Sequence, residues 1–185
     1  LLLPTLRSRC QLAEFTPPAT ADALRWLNAQ PEATGNAAFY LELAQGAPLH
    51  ALQLMQEQAE LGFGLLIGTL QTLAGGAITP VQAARKCEDL EIRTGIEYQL
   101  LGISRLLCSL QGGDALGLTS LEPLQAHCTA MGGTGMMRRL HQYHASLIQA
   151  RKTAMATNNA NPQLMLEALF AEWSQLMAAR PVRNL

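Results

Sequence analysis

The residues best able to do chemistry in this sequence are few and scattered. Arg7 and Arg9 stand in the opening run LLLPTLRSRC, between an apolar stretch bearing Pro4 and Cys10. A guanidinium offers paired donors to a carboxylate or phosphate. The glycine cluster MGGTGMM at 131–137 invites a phosphate-loop reading. It lacks the spaced Gly and the Lys-Ser/Thr pair that hold phosphate and magnesium, and no strand is predicted before it. It reads instead as a turn whose glycines permit positive φ ahead of a helix. His141 and His144 fall one helical turn apart. They could share a metal, but no carboxylate or third ligand stands at a supporting spacing, and a partly exposed helical face is the better reading. Arg138, Arg139, Arg151 and Lys152 lie on one predicted helix, in a stretch from Pro123 to Leu166 that has no acidic residue. That asymmetry suits DNA phosphates or an acidic partner, against the default of a solvated face. No Ser-His-Asp, Cys-His or paired-carboxylate arrangement stands out.

Composition bounds the rest. The chain has 185 residues and 49% hydrophobic content, enough for one large domain or two small ones with a real core, and it reads as a folded, soluble protein. Thirteen Lys plus Arg against fourteen Asp plus Glu give a formal charge of −1. That balance exerts no general pull on nucleic acid or anionic membrane, so any DNA contact must be local or shared with partners. Cys10, Cys87, Cys108 and Cys128 are far apart and form no C-x-x-C pair. They are expected to be reduced and mostly buried, as in a cytoplasmic protein. Arg7 and Arg9 follow the apolar residues, which is the wrong order for a secretory signal. The apolar stretch from Leu61 to Val81 is interrupted by Gln71, Gly75-Gly76, Thr79 and Pro80. It is therefore expected to be a buried helix and not a membrane span, with Gly62, Gly64 and Gly68 admitting a close neighbour. Leu1, Leu2 and Leu3 read like the end of a buried element, so the chain is expected to be a fragment of a larger protein.

The elements that position these residues have helical periodicity almost throughout, which predicts an all-α fold. Thr20 is expected to cap a helix through Ala29 that sets Leu24 and Leu27 beside Trp26. Asn36 can cap AAFYLELAQ, which Gly46 ends in the left-handed conformation, and Pro48 opens a third helix carrying Leu49, Leu52 and Met55. Longer, more apolar helices follow a boundary at 55–58: about 57–73, 80–90 and 92–110, the last with Ile96, Leu100, Ile103 and Leu107 in register. After the loop QGGDALG come helices over about 121–131, 134–155 and 161–177, with Asn161 as cap and Pro162 in the first turn of the last. That helix carries a wide apolar stripe, and Met165, Leu169, Trp173 and Met177 are candidates for a subunit interface at its edge.

The opening LLLPTLRSRCQ resembles the segment of bacterial clamp-loader subunits in which a Ser-Arg-Cys triplet, here Ser8, Arg9 and Cys10, follows Leu-x-Pro-Thr-Leu/Ile-Arg. The similarity continues through the proline spacer, the Trp-bearing helix, GAPLHAL and the tail NPQLMLEALFAEW. The resemblance implies the end of an AAA+ core (1–10), a three-helix lid (11–56), a helical collar domain that joins its counterparts (57–178) and a tail (179–185). It implies that Arg9 is a finger reaching ATP-magnesium held by a neighbouring subunit, while this chain holds no cofactor and no metal. Where hydrolysing members carry a sensor arginine in the stretch matching GAPLHAL, this sequence has Leu49, which cannot bond phosphate. The implied protein is thus a non-hydrolysing subunit of a cytoplasmic five-membered ring that loads a sliding clamp on primed DNA. That ring belongs to a replicative DNA-directed DNA polymerase, a nucleotidyltransferase. The alternatives are the tail of a hydrolysing subunit and an unrelated helical protein-binding module.

Overall fold

The computed structural model describes residues 16, 18–31, 33, 36–112, 119–156 and 161–178. All regular structure among them is helical, as the patterning predicts. The order is α1 (Thr20–Asn28), α2 (Ala37–Leu43), α3 (Pro48–Gln56), α4 (Ala59–Ala74), α5 (Pro80–Lys86), α6 (Ile92–Leu110), a 3-10 turn (Thr119–Leu121), α7 (Glu122–Met131), α8 (Gly133–Ala156) and α9 (Pro162–Ala178). No described helix is long and apolar enough to cross a membrane.

Local chemistry sets the first three helices. Asn36 Oδ1 accepts from the backbone N–H of Ala38 at 3.1 Å and of Phe39 at 3.2 Å, satisfying two donors that α2 cannot pair internally. The chain leaves α2 through Gln45 and Gly46, at φ 54° and 84°, and the Gly46 N–H donates to Leu41 O at 2.8 Å. Pro48 then starts α3. At α1 the cap is Ala19, without a side-chain bond, and Thr20 is already helical, so the expected Thr20 cap is corrected by one residue. Ala23, Leu27, Phe39, Tyr40, Leu41, Ala51 and Met55 form the core of this unit. Leu49 and Trp26 do not share it, being 73% and 38% exposed. The stripe of α3 runs instead through Ala51 and Met55, four residues apart.

In the rest of the chain α4 is central, with Phe63, Leu66, Ile67, Leu70 and Leu73 buried against α5, α6 and α9. Gly62 is a contact glycine: a Cβ there would lie 3.1 Å from the Tyr98 ring. Gly64 and Gly68 would meet nothing within 4 Å, so the expected close approach holds at one of the three positions. A capping box opens α5, where Thr79 Oγ1 accepts from Gln82 N at 3.3 Å and Gln82 Oε1 from Thr79 N at 2.9 Å. This helix stops at Lys86, short of the expected Leu90. Gly132 alone makes the turn into α8, at φ 79°, and the glycines after it already belong to the helix. Asn161 Oδ1 accepts from Leu164 N at 3.3 Å and caps α9. The α4–α9 contact is closed by Trp173, whose indole N–H donates to Leu70 O at 3.0 Å.

Both sets of helices contribute to one continuous core. The α3 and α4 helices pack where they follow one another, and the Phe39 ring of α2 meets Phe63 edge-on at 5.2 Å, with Tyr98 on the far side of Phe63 at 5.8 Å.

Candidate functional site

The candidate site residues divide by where their backbone puts them. Ser8, Arg9 and Cys10 lie outside the described residues, as do most of the QGGDALG loop and the tail beyond 178. Leu49 follows Pro48 in the first turn of α3, and its side chain points to solvent. An exposed position imposes no core-packing demand for leucine, so the residue type there is free to reflect other constraints.

The four basic residues of α8 do not form one patch. Arg138 and Lys152 are exposed and Arg139 and Arg151 half-buried. At 1.5 Å per residue the two pairs sit roughly 20 Å apart, at opposite ends of the helix. Arg151 lines a groove of about 460 Å³ together with Glu42, Glu97, Ser104, Arg105 and Cys108. Acidic side chains therefore share that groove with the cations. Proximity in sequence overstated the positive field because the carboxylates arrive from α2 and α6.

His141 and His144 share no metal cluster: no group of three or more His, Cys, Asp or Glu among the described residues could hold an ion. His144 instead shares a hydrogen bond with Ser104 Oγ at 3.0 Å, joining α8 to α6. Burial, aided by the nearby His141 and Arg151 charges, lowers its pKa from the ordinary histidine value. Deeper in the same seam, Tyr143 donates its hydroxyl proton to Gln99 Oε1, and both side chains are fully enclosed. Burial pushes the Tyr143 phenol well above its usual range. It also raises the Cys128 thiol to about 11. Cys87 and Cys128 are buried and Cys108 is exposed, so most of the described cysteines are buried, as expected.

The interface candidates on α9 require correction. Leu169, Trp173 and Met177 are at most 5% exposed and belong to the chain's own core, and Met165 is half-buried against it. The apolar residue that α9 does present is Leu164, 63% exposed. A wide stripe in one sequence does not reveal how much of it α4, α5 and α8 cover. Leu61 and Leu65 on α4, 70% and 47% exposed, form a second open apolar pair that sequence reasoning missed, because α4 reads as buried on most sides.

No protein-family model matches the chain. Over 180 residues, 95% of its length, it is 25% identical to "DNA polymerase III subunit delta'" of Pseudomonas aeruginosa. The chain is similar to a delta prime subunit. It spans about half of that relative, 54% of its length. The match covers almost the whole of the chain.

Proposed function

We propose that this chain is the lid and collar part of a delta prime clamp-loader subunit, acting in the cytoplasm within a DNA polymerase III assembly. In that assembly it joins the other clamp-loader subunits, and through them it serves the sliding clamp and primed DNA. The observation that carries the reading is similarity to a delta prime subunit along 95% of the chain, in agreement with the Ser8-Arg9-Cys10 triplet. Leu49 supports a non-hydrolysing role: it is an exposed apolar residue where a sensor arginine is expected, and it has no group to bond phosphate. Arg9 supplies its guanidinium to ATP-magnesium bound by the neighbouring subunit, where two parallel N–H donors stabilise charge on the transferring phosphoryl group.

The test replaces Arg9 in the full-length subunit and follows ATP turnover by the assembled complex. Arg9→Ala is expected to leave assembly intact and slow turnover. Single fingers contribute on the order of a thousandfold in related systems, with a smaller net loss in a ring that has other active sites. Arg9→Lys should not rescue, because an ammonium lacks the planar fork. Unchanged turnover in a properly assembled complex contradicts the finger.

A further inference from the structure

The small unit α1–α3 meets the bundle α4–α9 through several contacts, a hydrogen bond between Tyr40 and the Glu60 backbone among them, and three others bear on its orientation. The first is the chain itself, which turns from α3 into α4 at Gln58, a non-glycine residue in the left-handed conformation at φ 53° and ψ 41°. L-residues adopt that conformation rarely, so Gln58 marks a localised bend and not a continuous helix. The second is the apolar contact of Phe39 with Phe63. The third lies one turn further along α2, where Glu42 forms an ion pair with Arg105 of α6. Phe39 and Glu42 are three residues apart and thus occupy one face of α2, directed at the bundle.

The surroundings of the pair show what it does. The Glu42 side chain is 8% exposed and Arg105 26%, and no hydrogen-bond donor supplements Arg105 at the buried carboxylate among the described residues. Two grooves, of about 460 Å³ and 280 Å³, are each lined by Glu42, Gln45 and Arg105. The pair therefore bridges a seam that is otherwise open on both sides, in place of close backbone packing between α2 and α6. Apolar contact is non-directional and tolerates sliding, so Phe39 on Phe63 leaves the angle between the units weakly defined. A carboxylate meeting one guanidinium is directional, and loss of the guanidinium would leave the Glu42 carboxylate, 8% exposed, without its partner. Buried pairs add little net stability relative to apolar residues of similar size, and their best-attested use is to specify one arrangement among several. We propose that Glu42–Arg105 is a latch that fixes the angle of the α1–α3 unit on the bundle, with Gln58 as its hinge. The inference stands on these contacts alone and is independent of the partners assigned above.

The test uses the whole chain with Cys10→Ser and Cys108→Ser, carrying nitroxide labels on Leu49→Cys in α3 and Met155→Cys in α8, both exposed positions. Distances between the labels are measured by pulsed electron resonance. In this background a single narrow distribution is expected. Replacing both charges, Glu42→Leu with Arg105→Met, should leave a cooperative melt and broaden or split the distribution. Arg105→Lys, which keeps a cation opposite Glu42, should retain most of the narrow population. A folded double variant with the parent distribution overturns the latch. So does a double variant that has lost its cooperative melt, which would make the pair a support of the core and not a device of orientation.

Discussion

Gly62, Gly64 and Gly68 repeat along α4, yet only Gly62 faces a neighbour, and on α6 the more demanding position is Gly102, where a Cβ would lie 2.8 Å from Ile67 Cδ1. The glycines were visible in the sequence, but their purposes were not, because each is defined by the residue opposite and that residue is distant in the chain. Two outcomes follow in opposite directions. Gly102→Ala should destabilise the fold by about 1–3 kcal/mol through overpacking. Gly64→Ala and Gly68→Ala, on an open helical face, should each stabilise it by up to about 1 kcal/mol. Urea denaturation midpoints decide this, and a loss at Gly64 or Gly68 equal to that at Gly102 would refute the packing assigned here. His144 gives a second outcome at this scale. Its folded pKa lies below the unfolded value, so the unfolded chain binds the proton more readily. The associated stability is fully present above the unfolded histidine pKa, about 6.5, and is lost as pH falls through the lowered folded value. His144→Gln should therefore flatten the decline in melting temperature below neutrality, and an unaltered pH profile would show that His144 does not contribute to it.

Helix identity was legible where sequence supplied its own punctuation. Ile92–Leu110 was read to the residue, and Asn36, Pro48 and Asn161 each act at the helix start where they were expected. The Thr79–Gln82 box is harder to see in the sequence, because Thr79 stands beside Pro80 in a stretch that reads as a helix break. Thr79→Ala should cost about 1 kcal/mol, read from thermal or urea unfolding. Burial on α9 was not legible, since an apolar stripe gives the direction a helix faces without saying what covers it. Met177→Glu should now cost about 3 kcal/mol or more by burying an unpaired carboxylate, whereas Leu164→Glu should leave the melt of the isolated chain nearly unchanged. Equal melting of the two variants would contradict the packing of α9.

At the scale of the whole molecule the all-α class was readable from periodicity alone, and the similarity to a delta prime subunit from the clamp-loader triplet, the helix pattern and Leu49 in GAPLHAL together. Neither could show that Glu42 and Arg105, separated by the whole of α3, α4 and α5 and most of α6, would meet, or that Arg151 would share its groove with carboxylates. Both pairings depend on how α2 and α8 are set against α6. We propose that this chain joins a clamp-loader ring. The most direct test is the mass measured by light scattering, after gel filtration, of this chain mixed with the hydrolysing clamp-loader subunits of its own organism. A stable hetero-oligomer containing the chain is expected, weakened by Leu164→Glu or by Leu61→Glu with Leu65→Glu while each variant remains folded. A chain that elutes at its own mass beside subunits assembled without it would contradict the claim.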